Sequence, residues 1–327
     1  MRLPLPEGPR SPDTFASPEW GPSALAKASA AAVSDNEIRA LITLIDDPDE
    51  NIYLDVRDRI VSLGENVVPV LERAWEHNDL GDLFRDRIED ILHTIHLAAV
   101  TDRLKAWKAA GGDDLLEGAL IVSRYRYPDL DEPRVKARLA SIRQDIWLEL
   151  NDHLTAFEKV RVFNHIFFQT HGFKGNKRNY HAPQNSYINE VLDSRKGNPL
   201  SLAIIYQVLA EDLHLPLRGV NLPNHFVLAY LDEESIGGAD SGQQGEENVL
   251  FYVNAFSQGD ILGRNEIKEF LDKLHIEPRP SFFSPCTNLD IIRRQLNNLA
   301  NSYQKMGDTE RAHDLEKLRD LLGKAAD

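Results

Sequence analysis

The run from Leu200 to Leu213 constrains the fold more than any other part of the chain. Leu200, Leu202, Ala203, Ile204, Ile205, Tyr206, Val208, Leu209, Ala210 and Leu213 are apolar, and Gln207, Glu211 and Asp212 are the clearly polar positions. Wound as a helix, these residues are apolar almost all round, so the helix belongs in the middle of a domain. At about fourteen residues it is too short to span a bilayer, which takes ~20. Asn198 suits the N-cap and Pro199 the first helical position, where the missing N–H costs nothing.

Pro216 stops this helix, and Arg218 to Leu222 leads through Pro223 into His225-Phe-Val-Leu-Ala-Tyr230, an expected strand of β-branched and aromatic residues. A short helix and a tight Gly turn precede the central helix. The order is therefore helix, turn, buried helix, then a strand that opens on a histidine. Over RKGNPLSLAIIY and LPNHFVLAY the chain resembles the transglutaminase-like (papain-like) core and, within it, the SirB-type branch of bacterial transglutaminase-like proteins. The resemblance covers roughly Leu115 to Pro285. It implies an α+β fold in which a buried helix packs on a small antiparallel sheet.

In a working member of that superfamily a Cys opens the central helix, a His opens the next strand and an Asp on the following strand orients the His. The helix N-terminus and a neighbouring imidazole raise the thiolate fraction. Carried over residue by residue, the Cys slot falls on Pro199, the His slot on His225 and the Asp slot on Asn254. Proline carries no nucleophile, so thiol acyl transfer by the usual route is excluded. Asn254 could still orient a neutral imidazole through its side-chain oxygen. Ser201 is the nearest hydroxyl, about 200 degrees further round the helix, and is the candidate nucleophile against a structural role in the first turn. Tyr187, Asn185 and Asn224 are expected at the degenerate cleft. So are Lys177 and Arg178 from FKGNKRNYHAPQNSY, a basic and aromatic stretch that also holds Lys174 and His181. That stretch could hold an anionic group or an acidic peptide, or be a solvated loop.

A chain of 327 residues can bury a sizeable core. Its net charge of -15 argues against general nucleic-acid binding and against anionic membranes. With Cys286 as the single cysteine there is no internal disulfide and no multi-Cys metal site. No metal and no cofactor are expected. The first residues lack the apolar core of a signal peptide, so a cytoplasmic protein is the expectation.

Taken in order, residues 1–33 read as a mobile tail. Residues 34–110 form a helical segment, with Ser34 as the first cap and DDPDENIYLDVRDRIVSLGENVVPVLERAW similar to a HEAT-type repeat. Leu83 to Trp107 adds one or two amphipathic helices. His77, His93 and His96 lie here as packing or surface residues, with no third metal ligand. Gly111-Gly-Asp-Asp marks a boundary to the transglutaminase-like core at 111–285, in which Thr155 to Phe168 reads as one helix. After the His225 strand, DEESIGGADSGQQGEEN is a polar hairpin loop leading to a second strand, Val249 to Phe256. Residues 286–327 resemble one tetratricopeptide-type helical hairpin with its turn at Gly307-Asp308. Cys286 just before it has no evident base or cation to activate it.

Three functions remain in play. One is a transglutaminase-like module without catalysis, with protein partners bound through the helical repeats. The second is a hydrolase or acyl transferase using Ser201, His225 and Asn254. The third is a binder of peptide or small anionic ligand in the old cleft.

Overall fold

The computed structural model describes residues 35–76, 81–232 and 248–323. The expected tail at 1–33, the Ser34 cap, His77 and most of the 231–248 loop lie outside the described residues. Four helices come first: α1 (Asp35–Leu44), α2 (Glu50–Ser62), α3 (Val68–Glu76) and α4 (Asp82–Ala109). Asp49 caps α2 by accepting the Asn51 N–H. Their facing side chains, among them Ile45, Val56, Ile60, Leu71, Phe84, Ile88 and Ile91, form one hydrophobic cluster. Arg87 is buried inside it because its guanidinium donates to the Ile45 and Asp47 carbonyls at 2.7 Å each and pairs with Glu50 at 2.9 Å. The segment expected as one or two helices over Leu83 to Trp107 is a single helix of 28 residues. No Gly or Pro interrupts it. Its C-terminal half leaves the first cluster, and Val100, Leu104 and Trp107 enter the main core.

That core is built around α9 (Pro199–Asp212), in which every residue from Pro199 to Ala210 is buried. Before it come α5 (Leu115–Arg124), α6 (Glu132–Glu149), α7 (Ala156–Asn164), a two-residue strand β1 (Lys174–Gly175), α8 (Ile188–Ser194) and a second two-residue strand β2 (Lys196–Gly197). Where one helix is expected through Phe168, the chain widens after α7 into a π-helical turn, His165–Thr170. Phe163, Phe167 and Phe168 are all buried there, and the Phe163 ring stacks on Tyr206 of α9 with centroids 3.9 Å apart. The wider winding accommodates this aromatic group, which a regular helix would spread over more of its circumference.

A four-stranded antiparallel meander follows, in the order β3 (Leu217–Leu222), β4 (His225–Leu231), β5 (Val249–Asn254) and β6 (Asp260–Leu262). The chain is therefore α+β, a helix-rich fold with a small antiparallel sheet. Sequence reading finds β4 and β5 and passes over β3 and β6, which carry no aromatic residue and a single β-branched one each. Along β4 the alternation is strict: Phe226, Leu228 and Tyr230 face α9, while Val227, Ala229 and Leu231 pack with Ile267, Leu271 and Phe283 on the other face. Both faces are covered, so β4 is an unbroken apolar run. The second layer includes α10 (Arg264–Lys273). Two antiparallel helices close the chain, α11 (Asn288–Met306) and α12 (Thr309–Leu321), joined at Gly307 with φ +83. Ile291, Leu296 and Leu299 of α11 belong to the same core cluster as α9.

The N-terminus of α9 holds a closed set of hydrogen bonds. Asn198 Oδ1 accepts the Ser201 N–H at 2.9 Å, and Ser201 Oγ accepts the Asn198 N–H at 3.0 Å, a reciprocal capping box. Asn198 Nδ2 donates to Ser186 Oγ at 2.9 Å and the Ser201 hydroxyl donates to the Asn185 carbonyl at 2.5 Å. Replacing Asn198 by Ala is expected to lower unfolding stability by about 1–2 kcal/mol, and Asn198→Ser to recover most of it because Ser also caps. Urea denaturation measures both, and equal losses in the two variants would remove the cap from the account.

Candidate functional site

A cleft of about 770 Å³ opens where the first turn of α9, the β3–β4 hairpin and one face of α11 meet. Pro199 and Leu200 reach it from the helix, and Asn224 and His225 from the hairpin. The turn has Pro223 followed by Asn224 at φ +57, the residue order of a type II turn, in which Asn tolerates the left-handed position. Leu222 pairs with His225 across this turn, so the imidazole stands at the open end of the sheet.

His225 Nε2 lies 3.1 Å from Asn254 Oδ1, an atom that can only accept, so the ring carries its proton on Nε2 and donates. The same oxygen accepts the Phe256 N–H at 3.2 Å and the Ser257 N–H at 3.3 Å, and so caps the short turn after β5. Asn254 therefore orients His225 and is itself fixed by backbone. Burial lowers the imidazole from its usual value, the Asn254 bond offsets part of this, and the Arg294 charge lowers it further. A neutral ring with a free Nδ1 lone pair is the form favoured at neutral pH.

The hydroxyl of Ser201 is spent in the capping box and on the Asn185 carbonyl, its residue is 1 % exposed, and it does not line the cleft. Its place at N3, two residues after Pro199, turns it about 200 degrees of helical rotation from that position. Tyr187 and Asn185, expected at the cleft, are turned into the interior instead. Tyr187 is 1 % exposed with its hydroxyl 3.0 Å from that of Tyr303, a partner that sequence distance hides. Asn185 donates to the Asn179 and Tyr180 carbonyls at 2.6 and 3.0 Å and accepts from Asn176 at 2.9 Å, which makes it the clamp of the basic loop. Within that loop Lys177 and Arg178 are exposed and lie off the cleft wall, whereas Tyr180 and His181 reach it. The loop is brought there because β1 pairs with β2 in parallel, Lys174 with Lys196 and Gly175 with Gly197. A Cβ on Gly175 would come within 2.5 Å of the Phe256 ring, so that close approach requires glycine.

Sequence reading misses the α11 wall altogether. Arg293, Arg294, Asn298, Asn301 and Lys305 recur on one helical face toward the cleft. Their spacing at three and four residues is visible in the sequence, but nothing there pairs α11 with β3 and β4. Cys286 sits behind this wall, where its N–H donates to the Gly219 carbonyl at 2.8 Å and burial pushes the thiol up to about 12. Among the described residues no group of three or more His, Cys, Asp or Glu side chains is placed to hold a metal, and no helix is long and apolar enough to cross a membrane.

A buried helix whose first turn faces a strand-borne histidine, itself held by a residue of the next strand, defines a class. Residues 133–297 match the transglutaminase-like superfamily, and the chain belongs to that superfamily. It is similar to a UPF0162 protein of Xylella fastidiosa (strain Temecula1), with 37% identity over 205 residues that cover 61% of this chain and 68% of the relative. A UPF0162 protein of Vibrio cholerae is 27% identical over 158 residues, 48% of this chain and 53% of that protein. Human F-box only protein 21 is 26% identical over 259 residues, 71% of this chain and 39% of that one. No solved structure matches.

The lowered His225 value sets a pH dependence. Above the ordinary value of 6.5 the ring is neutral folded and unfolded; below it the unfolded chain takes up the proton first, so stability is lost as pH falls toward the folded value. His96 is lowered by burial as well and forms a constant background. Between about pH 7.5 and 5 the melting temperature of His225→Gln is expected to fall less than that of the wild type. Parallel curves would show that His225 takes no part.

Proposed function

We propose that the chain is a SirB-type transglutaminase-like protein without acyl-transfer chemistry, in which the former catalytic cleft serves recognition and the helical flanks serve protein contacts. The observation that carries this reading is the residue at the mouth of the cleft. Pro199 occupies the first position of α9, where the superfamily resemblance calls for a thiol, and lines the same cleft as His225. The remaining thiol, Cys286, is protonated throughout the physiological range. Ser201 has its hydroxyl engaged with backbone. The His225–Asn254 pair is thus a base with no nucleophile to serve.

The flanks support a modular use. α1 to α3 stack on the first half of α4 in the manner of HEAT-like helix pairs, and α11 with α12 has the Gly-turned form of a tetratricopeptide-like hairpin. On this reading the organisation is a helical segment at 34–110, the SirB-type core at 111–285 and the hairpin at 286–327. That the region shared with F-box only protein 21 makes up 39% of that longer protein fits a unit combined with others. The hydrolase alternative finds no support in the Ser201 geometry.

Two measurements test the reading. Incubation with a serine-reactive phosphonate, followed by intact mass, is expected to give no adduct on Ser201. A stoichiometric adduct that disappears in His225→Ala would make the protein a hydrolase or transferase. Conversely, Pro199→Cys should place a thiol at the helix N-terminus beside the imidazole and lower its pKa. Its alkylation by iodoacetamide at neutral pH should exceed that of Cys286 by about tenfold or more. Equal rates would mean that Pro199 does not occupy the nucleophile position.

A further inference from the structure

The α11 wall of the cleft carries a cation that has no counter-charge among the described residues. Arg294 is half-buried, and its Nη1 donates to Asn221 Oδ1 and to the Leu222 carbonyl at 2.6 Å, which fixes the guanidinium against the end of β3. Its plane also lies against Phe226, 5.8 Å from the ring centroid. Among the described residues no carboxylate pairs with it, and the ionisable groups within its electrostatic reach include Cys286, Tyr180 and His225. Burial alone holds its value below that of a free guanidinium, yet an arginine stays charged in a protein. The other arginines that line the cleft are satisfied internally: Arg293 pairs with Asp290 at 2.6 Å, and Arg319 of α12 bonds Asn297 at 3.2 Å and Asp320 at 3.0 Å. Among the described residues Nε and Nη2 of Arg294 have no hydrogen-bond partner, and the residue lines the cleft, which leaves one donor edge of the fork for a ligand there. That edge has the spacing of a carboxylate.

Two features extend the site beyond a single anion. Lys305 lies about three turns further along α11, with its ammonium 3.2 Å from His181 and no carboxylate beside it among the described residues. Between the two cations the side-chain amides of Asn298 and Asn301 line the cleft without a hydrogen-bond partner among the described residues. Each amide offers a donor and an acceptor, the pair that a peptide backbone needs. The 770 Å³ space is large for one small anion and suits several residues of extended chain. A surface of net charge -15 repels long polyanions, whereas a short segment with one or two carboxylates meets only the local cations.

We propose that the cleft binds an extended acidic peptide segment, with one carboxylate held on the free edge of Arg294, a second near Lys305 and the backbone between them read by Asn298 and Asn301. The proposal rests on the recognition role assigned to the cleft above, and it names the ligand class. We assign the segment to a partner, since among the described residues no carboxylate is paired with Arg294 and the local cations complement an acidic chain.

The test uses the whole protein and fluorescein-labelled octapeptides that alternate Gly with Asp or Glu, against matched peptides with Asn or Gln. Fluorescence anisotropy should show the acidic set binding about tenfold or more tightly than the amide set, with affinity falling as salt rises. Arg294→Gln should weaken the acidic set by about tenfold, and the exposed Lys305→Glu by about threefold or more, while neither changes the weak binding of the amide set. If Arg294→Gln proves unstable, Lys305→Glu carries the test alone. Equal affinity for both sets, or no loss in a folded Lys305→Glu, would overturn the proposal. Full displacement by inorganic phosphate at low millimolar concentration would overturn it too, by reducing the site to one for small anions. Mass spectrometry of the recovered peptides separates the two readings. Cleaved or modified peptide would sink the non-catalytic function while leaving the binding result standing, and intact unbound peptide would do the reverse.

Discussion

Everything in the core depends on burying the first turn of α9. A helix whose first turn is this deeply buried satisfies its N-terminal N–H groups chiefly with protein rather than with water. Pro199 removes one donor, Asn198 takes another, and Ser201 returns a bond to the cap. The leftover hydrogen-bonding capacity then goes outward to Ser186 and Asn185, which lie in the segment before α8. Because Asn185 also grips the carbonyls of Asn179 and Tyr180, the helix cap and the lip of the cleft are one connected network. The residues that would make a catalytic first turn are occupied in holding it together.

A second polar link secures the other side of the site. Asn164, at the end of α7, accepts from the Tyr206 hydroxyl at 3.0 Å and donates to the Gly259 carbonyl at 2.9 Å. It therefore ties the central helix to the turn after Asn254. Gly259 has φ +80, and a Cβ there would fall 2.1 Å from the Asn164 oxygen, so glycine is required on both counts. The geometry of the His225–Asn254 pair is supported from below by this contact.

What could be read from the sequence followed from local patterns with one clear period. The all-round apolar helix, its Asn-Pro start and the histidine at the strand entrance stand where the local patterns put them, whereas Asn254 is found only through the resemblance to the superfamily, and its strand ends there rather than at Phe256. Each of the first three is specified by neighbours within a few residues. The misreadings concern residues whose fate is decided at long range. Tyr187 looks like a cleft residue beside a basic loop, but Tyr303, 116 positions away, draws its hydroxyl inward. Arg294 looks like one more charge on an amphipathic helix, and only the packing of α11 on β3 removes much of its solvent and gives it Asn221 and the Leu222 carbonyl as partners, with no carboxylate among the described residues. β3 and β6 carry Arg, Gly, Asn and Asp, and they become strands through the pairing that β4 and β5 offer rather than through their own propensity.

The 28-residue helix α4 has its first half in one hydrophobic cluster and its second half in the other. Its length is about 42 Å at 1.5 Å per residue, and His93 on its flank is braced to Asp314 of α12 at 2.8 Å. One continuous helix is thus shared by both clusters. The surface of α1 to α3 is therefore joined to the core that carries the cleft by unbroken helical backbone as well as by the His93–Asp314 contact.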